Sequence, residues 1–509
     1  MLPVLTPAQC RAWDEAAAAA GRPLRMLMEV AGRAVARAVL DDHPHPVRHG
    51  VLVACGPGNN GGDGWVAARM LHLLGIAVTV LEAVPPGEGI AADARRAALD
   101  DGVARVGPDD PWPAVGLIVD ALLGTGASGP PRSPIAALLE RLAGLHRPVV
   151  AVDGPTGLDL ATGRNHGALT ADATVTFGGV RRGHLRARDV VGDLTVAEIG
   201  FPAAPAEWPR LVERRWAARR LPAFSSDAHK GDRGRLVIVG GSAGMTGAAR
   251  LAARAAFATG AGLVHVVTSP DAAGDLTTAE PDVQVRAHAL AGDPDRDLVE
   301  LVARADALVI GPGLGREPGR GAFVRALLSH ARMAVVDADA LVVLADARDA
   351  LAELGAGRPL LLTPHLVEFR HLFAASCDGL EDDPWAAAQG AADAVAATVL
   401  LKGVPTIIAG RESPQLTVAS GNPGLASGGS GDVLSGIVGA LCAGGVDPRV
   451  AGALGAQALG DAADLAASRH GARGMRPMDV IAALADAWVT WRDAESQQRT
   501  ILLRLPRPA

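Results

Sequence analysis

The sequence predicts an α/β protein of two domains, each built on a mostly parallel, doubly wound sheet. Three observations carry that expectation. Short apolar runs alternate with helical stretches through both halves of the chain. Glycine-rich or polar loops follow most of those runs, and in such sheets ligands sit at the carboxyl ends of the strands. The stretch 200–225, GFPAAPAEWPRLVERRWAARRLPAFS, is rich in Pro and Arg and marks a boundary. The expected domains are 1–215 and 225–509, each long enough for its own core.

Composition narrows the class. A hydrophobic content of 49% with 20% charged residues describes a soluble globular chain. No apolar run is long enough to span a bilayer. MLPVLTPAQCRAWDE lacks the basic and apolar regions of a signal peptide, so a cytoplasmic location and no membrane partner are expected. The net charge of −7 argues against nucleic acid as a partner, and the pairs Arg181-Arg182, Arg214-Arg215 and Arg219-Arg220 read as solvated faces. Cys10, Cys55, Cys377 and Cys442 are far apart, which suggests reduced thiols without a metal.

In the first half, Thr6-Pro7-Ala8-Gln9 has the form of a capping box opening a helix that ends at Gly21. A second helix follows at roughly 24–41. Strands are expected at VLVAC (51–55), IAVTVLEA, LIVDALL (117–123), VVAVD (149–153) and ATVTF (173–177). Three loops close three of them: Gly56-Pro57-Gly58-Asn59-Asn60-Gly61-Gly62-Asp63-Gly64; Gly124-Thr125-Gly126-Ala127-Ser128-Gly129-Pro130, just after Asp120; and Asp153-Gly154-Pro155-Thr156-Gly157. Gly56, Gly58 and Gly61 match a dinucleotide fingerprint, with Glu82 at a fitting distance. Asp63 would press towards a pyrophosphate, and Asn59 and Asn60 stand where that motif wants bare backbone. The loop is better read as a polar pocket. Asn60, Asp120 and Thr156 offer one carboxylate and neutral oxygens, a set that suits a monovalent cation.

In the second half, HKGDRG (229–234) precedes strand RLVIVG, and Gly240-Gly241-Ser242-Ala243-Gly244-Met245-Thr246-Gly247-Ala248 turns into a helix. GK[ST] is missing, so this is no Walker loop. Later strands end in Gly311-Pro312-Gly313-Leu314-Gly315, in Asp337 and Asp339, in Thr363-Pro364-His365, and in Lys402-Gly403. Asp337 and Asp339 either hold Mg²⁺ or cap the following helix, and capping is preferred. Lys402 is placed to approach a nucleotide phosphate. After strand-like runs at 397–401, 406–409 and 415–419 comes GNPGLASGGSGDVLSG, opening a small-residue helix. Glycines there expose backbone N–H groups to an anion, and the helix dipole favours negative charge. A carboxylate beside bound phosphate, Asp432, fits a base that takes the proton of a hydroxyl attacking a phosphoryl group.

CGPGNNGGDG, VDALLGTG and AVDGPTG together make residues 1–215 resemble the NAD(P)H-hydrate epimerase domain. The resemblance implies that Asn59, Asn60, Gly61, Gly62 and Asp63, with Gly124, Thr125, Gly126, Ala127, Ser128, Gly129 and Pro130, hold hydrated NADH or NADPH. It implies K⁺ on Asn60, Asp120 and Thr156, and Asp153 against the substrate as a catalytic group. The family usually has an apolar residue at 154 and Ser at 156. Gly154 is expected to loosen the loop, and Thr156 keeps the hydroxyl.

HKGDRG, GGSAGMTGA, GPGLG, DADAL, TPH, LKG and GNPGLASGGSGDVLSG, in that order, make 225–495 resemble the NAD(P)H-hydrate dehydratase family, which has the ribokinase-like fold. By that resemblance Ala248, Gly313 or Gly315, His365 and Asp432 face the hydrated nucleotide. Lys402, Gly403, Val404, Pro405, Thr406 and Gly431 bind the adenine nucleotide. ADP is the implied phosphoryl donor, Mg²⁺ an expected companion, and a homo-oligomer the expected assembly. Leu366-Val367 and Val342 replace the family's usual Pro-Gly and Asn. Two rival readings remain: a ribokinase-like small-molecule kinase with an N-terminal nucleotide-binding module, and a non-catalytic nucleotide sensor.

Overall fold

The computed structural model describes residues 1–411, 414–496 and 502–505, which form two compact units. One takes in 2–208 and the strand Leu502–Leu505; the other takes in Met1 and the chain from Pro209 to Ser496. Among the described residues no helix is long and apolar enough to cross a membrane.

The first unit's sheet runs in the order Leu502–Leu505, Asp193–Ala197, Ala173–Phe177, Val149–Val152, Leu117–Ala121, Val51–Cys55, Val78–Glu82, Ala104–Val106. All its pairings are parallel except that of Leu502–Leu505 with Asp193–Ala197. From Val51–Cys55 the chain winds outward to one side, then returns to Leu117–Ala121 and winds to the other. The switch point therefore lies between those two strands, where the loops at their carboxyl ends part and leave a crevice. Helices Leu24–Asp42 and Asn59–Leu73 bury Met28, Val35, Trp65 and Leu71 against one face, and Ile135–Ala143 covers the other with Leu138 and Leu142. The capping box forms as expected: Thr6 accepts from the Gln9 N–H and the Gln9 side chain accepts from Thr6 N–H. Leu2–Leu5 pairs with Val180–Arg181.

The second unit's sheet runs Gln284–Ala287, Leu263–Thr268, Arg235–Val239, Ala307–Ile310, Ala334–Val336, Leu360–Leu362, Thr398–Leu401, Thr406–Ala409, Leu416–Val418, Arg210–Leu211. It is parallel as far as Thr398–Leu401, and Thr406–Ala409 is antiparallel to both its neighbours. Helix Ser430–Ala443 is buried throughout from Val433 onward. It lies so close to helix Thr246–Thr259 that a Cβ on Gly436 would stand 2.1 Å from the Ala252 carbonyl oxygen.

The division falls at Trp208/Pro209 rather than at 215–225, because Arg210–Leu211 and helix Arg214–Ala218 belong to the second unit. Pro and Arg enrichment marked the neighbourhood, but a two-residue edge strand has no readable period.

Candidate active sites

In the first unit a cavity of about 480 Å³ opens at the switch point. Pro57, Gly58, Asn59, Asn60 and Asp63 line one side; Gly124, Thr125, Gly126, Ala127 and Asp153 line another; Trp13, Met28, Phe177 and Phe201 supply an apolar wall. Trp13 and Phe201 stack with ring centres 4.3 Å apart. The glycines of the first loop are set by packing: a Cβ on Gly56 would lie 1.9 Å from the Leu122 carbonyl oxygen, and one on Gly61 as close to that of Gly56. Gly61 and Gly62 thus stand behind the cavity, and Ser128, Gly129 and Pro130 lie off its wall.

Asp153 is buried, with φ +63°, at the end of Val149–Val152. Its carboxylate accepts from the Thr125 N–H at 2.9 Å and from the Thr125 hydroxyl, from the Thr176 hydroxyl at 3.1 Å, and from Arg181 Nη2 at 2.9 Å. Burial pushes this carboxyl up, but the Arg181 guanidinium and the Thr125 bonds outweigh it and hold it below the usual range. Arg181 overturns the expectation of a solvated arginine pair. It is 6% exposed and donates to Asp153, Thr125 Oγ1 and the carbonyls of Phe177 and Gly179. Those partners satisfy the buried guanidinium. Beside it, burial and the Arg181 charge drive His184 down to about 3, so it is neutral.

Asp120 is fully buried and accepts from the Thr156 N–H at 2.8 Å, the Thr156 hydroxyl at 2.7 Å and the Leu122 N–H at 3.2 Å. Leu123 N–H in turn donates to Thr156 Oγ1. Asn60 packs on Gly124 of the same turn, and neither polar atom of its buried amide has a partner in the protein. The Asn60 amide oxygen is thus open to a cation, with no protein donor competing for it. Gly154 does not sit in slack space: a Cβ there would lie 2.7 Å from a Leu160 methyl and 3.2 Å from His184 Nε2. Leu160 occupies the room that an apolar residue at 154 would need.

In the second unit Asp432 stands in the first turn of helix Ser430–Ala443, behind Gly429 with φ +100°. Burial, then the Asp337 charge, raises its carboxyl to about 7, against the opposing pull of Lys402. Asp337 does not cap a helix with its side chain. It is 1% exposed and accepts from Lys402 Nζ at 2.8 Å and the Ser435 hydroxyl at 2.6 Å. Burial raises its carboxyl and Lys402 more than reverses that. Lys402 Nζ also lies 3.7 Å from Glu368, and 3.4 Å from where a Cβ on Gly431 would be. The lysine therefore sits under the start of the glycine-opened helix. Asp339 accepts from Gly315 N–H at 3.0 Å and Arg316 Nε at 2.7 Å.

His365 N-caps helix Leu366–Leu372: Nδ1 accepts from Val367 and Glu368 N–H, and the Glu368 carboxylate accepts from His365 N–H. The replacement of Pro-Gly by Leu366-Val367 thus falls on a helix start that His365 itself caps. Its backbone bridges Lys402, so both residues lie at neighbouring strand ends. Ala248 abuts Gly313, where a Cβ would meet the Ala248 methyl at 3.1 Å. Gly403 and Val404 are exposed in the turn before Thr406–Ala409, with Pro405 buried behind them and the Thr406 hydroxyl bonded to Gly403 O. Sequence reasoning missed Arg181 and the Asp337–Lys402–Ser435 cluster. The one signal for Arg181 was Gly178-Gly179, which free two carbonyls for its guanidinium.

Two family models match the chain: one described as NAD(P)H-hydrate dehydratase over residues 236–486, the other as YjeF-related protein N-terminus over 24–183. The bifunctional NAD(P)H-hydrate repair enzyme of Escherichia coli K12 is 39% identical, covering 92% of this chain and 90% of its own. That of Moorella thermoacetica is 37% identical over 90% and 91%, and that of Leishmania infantum 37% over 92% and 90%. A solved ribokinase-like superfamily protein from Enterococcus faecalis V583 aligns at 25% identity, over 55% of this chain and 96% of that one, with a TM-score of 0.48. With relatives of this identity matched along almost their whole length, the chain belongs to the family of bifunctional NAD(P)H-hydrate repair enzymes.

Proposed function

We propose that the first unit interconverts the R and S forms of hydrated NADH and NADPH, and that the second dehydrates the S form with ADP as phosphoryl donor. The observation that carries the chemistry is Asp432. Its carboxyl, raised to about 7 at the mouth of a glycine-opened helix, is a stronger base at neutral pH than an ordinary aspartate.

In the second unit, Asp432 takes the proton of the ring hydroxyl as that oxygen attacks the β-phosphorus of ADP and AMP leaves. The N–H groups at the helix start hold the phosphoryl oxygens. The ring nitrogen lone pair then expels phosphate, and loss of a proton from the adjacent ring carbon restores the double bond. Ala248, Gly313, Gly315 and His365 form the substrate side. Lys402, Gly403, Val404, Pro405, Thr406 and Gly431 form the donor side. Asp337 and Asp339 both have partners, and no group of three metal-ligating side chains occurs among the described residues. Mg²⁺ would accompany the phosphates of ADP and supply positive charge to them.

In the first unit, the turns after Val51–Cys55 and Leu117–Ala121 and the carboxylate of Asp153 hold the hydrated ring in the cavity. There the hydroxyl leaves and returns through a cationic ring. Asn60, Asp120 and Thr156 would hold K⁺, which would supply positive charge to the buried Asp120 and a partner for the orphaned Asn60 amide. The free cysteines suit the reducing cytoplasm, where these dinucleotides are dissolved.

The test is near-ultraviolet absorbance recovery from separate R and S hydrates of NADH, with ADP, alongside free phosphate. Both epimers are expected to recover, each with one phosphate. No recovery under any nucleotide overturns the dehydratase assignment, and a stable phosphorylated product identifies a kinase instead.

A further inference from the structure

The cavity of the first unit carries three carboxyls, Asp14, Asp63 and Asp153, in different surroundings. Asp153 accepts four hydrogen bonds, one from a buried guanidinium. No hydrogen bond or ion pair among the described residues reaches the Asp63 carboxyl. Asp63 is also held firmly. A Cβ on Gly62 would lie 2.5 Å from the Met28 methyl, and one on Gly64 would lie 2.5 Å from Ala121 Cβ and 2.9 Å from Cys55 Sγ. The glycines on either side thus press its helix onto the helix and strands beneath, and the side chain projects from a fixed base to the cavity wall.

Two carboxyls in one cavity with opposed environments divide an acid role from a charge role. We propose that Asp63 is the acid–base residue of epimerisation: it gives its proton to the departing ring hydroxyl and takes one back from the returning water. The inference rests on the epimerase reading above. In the step, the ring carbon–oxygen bond breaks, its electron pair leaves with oxygen as water, and the Asp63 proton completes that water. The nitrogen lone pair forms the double bond to the same carbon. Water then adds from the opposite face, and its surplus proton returns to Asp63. Asp153, kept ionised by Arg181, faces the transient cation. Burial, then Asp153 and Asp14, push the Asp63 carboxyl well above the usual carboxylate range, the direction an acid needs. The other titratable or charged groups around it are Arg11, Arg181 and Cys10 on the cavity wall, and Cys55 beneath.

The experiment incubates the R hydrate of NADH with the full chain in ¹⁸O-water, with the spontaneous exchange subtracted. Wild type is expected to place one labelled oxygen in each S product, and its kcat for epimerisation is expected to fall on the alkaline side. Asp63→Asn is expected to lower that kcat at least about 100-fold with KM changed only a few-fold. Recovery of the S hydrate with ADP should persist in the variant and reports a folded chain. Enzymic epimerisation that retains the original oxygen would proceed by opening the ring at its carbon–nitrogen bond, and overturns the proposal. So does a variant whose kcat is intact or whose loss lies in KM alone. If the variant does not fold, the wild-type label and pH profile decide: a kcat that stays level on the alkaline side overturns Asp63 as the acid. A wild type that never converts R to S overturns the epimerase reading itself, a separate result.

Discussion

Asp432 lies in the first turn of a glycine-opened helix and Asp153 at the end of a strand, and their surroundings drive them in opposite directions. Asp432 has burial and Asp337 against it and is raised to about 7; Asp153 has Arg181 and is lowered. A base works only when ionised, so dehydration measured as kcat should rise with pH and level off above about 7. Asp432→Asn should cut that rate at least about 100-fold while ADP affinity, measured by calorimetry, changes only a few-fold. Lys402 pulls Asp432 down, so Lys402→Met should move the midpoint of the profile to higher pH. The same change leaves the buried Asp337 with hydroxyl partners and no charge beside it, and about 3–5 kcal/mol of stability should go in chemical denaturation. Asp153 and Asp337 have folded values below their unfolded ones. The stability they contribute is therefore present above pH ~4 and lost as pH falls through the folded values. Asp432 could be singled out in the sequence because the glycines around it mark a helix start suited to an anion. Arg181 and Asp337 were not, because each takes its role from a partner tens of residues away in the chain: 28 for Asp153 and 65 for Lys402.

Elements were legible where periodicity had room to show. The capping box of Pro7–Ala19 and the strands Val51–Cys55, Leu117–Ala121, Val149–Val152, Ala173–Phe177, Thr398–Leu401 and Thr406–Ala409 stand where the sequence placed them, whereas Ala104–Val106, Asp193–Ala197, Gln284–Ala287 and Leu502–Leu505 were not expected. Val180–Arg181 and Arg210–Leu211 were not seen, because two residues carry no pattern and their pairing is long-range. Tight helix contact was equally invisible, since a glycine in a helix gives no hint of what lies against it. Gly436→Ala tests that contact. With a carbonyl oxygen 2.1 Å from the new methyl, helices Ser430–Ala443 and Thr246–Thr259 must part. The expected cost is about 1–3 kcal/mol in the denaturation midpoint of the second unit. Removal of residues 498–509 exposes the edge of Asp193–Ala197 and loses the bond from Arg188 to the Leu505 carbonyl. It should lower the thermal midpoint of epimerase activity and leave that of dehydration in place.

At the scale of the whole molecule, hydration yields both epimers, and the division of labour has a direct readout. On a mixed hydrate of NADH with ADP, wild type should recover all of the reduced dinucleotide. Asp153→Ala should recover the S share promptly and the rest only at the spontaneous rate. Two α/β halves were plain in the sequence because each repeats strand, loop and helix with its own set of motifs. The exact division was not, because one strand of the first sheet is spelled roughly 300 residues beyond its partner. That strand sets an order of assembly. Roughly 300 residues separate Ala197 from its partner Leu502, so at ~5–20 residues per second the first sheet waits ~15–60 s on the ribosome with one edge open. In that interval the nascent chain offers bare strand to any other nascent chain beside it. Chaperone demand during synthesis, rather than the stability of the finished protein, is where this connection makes itself felt.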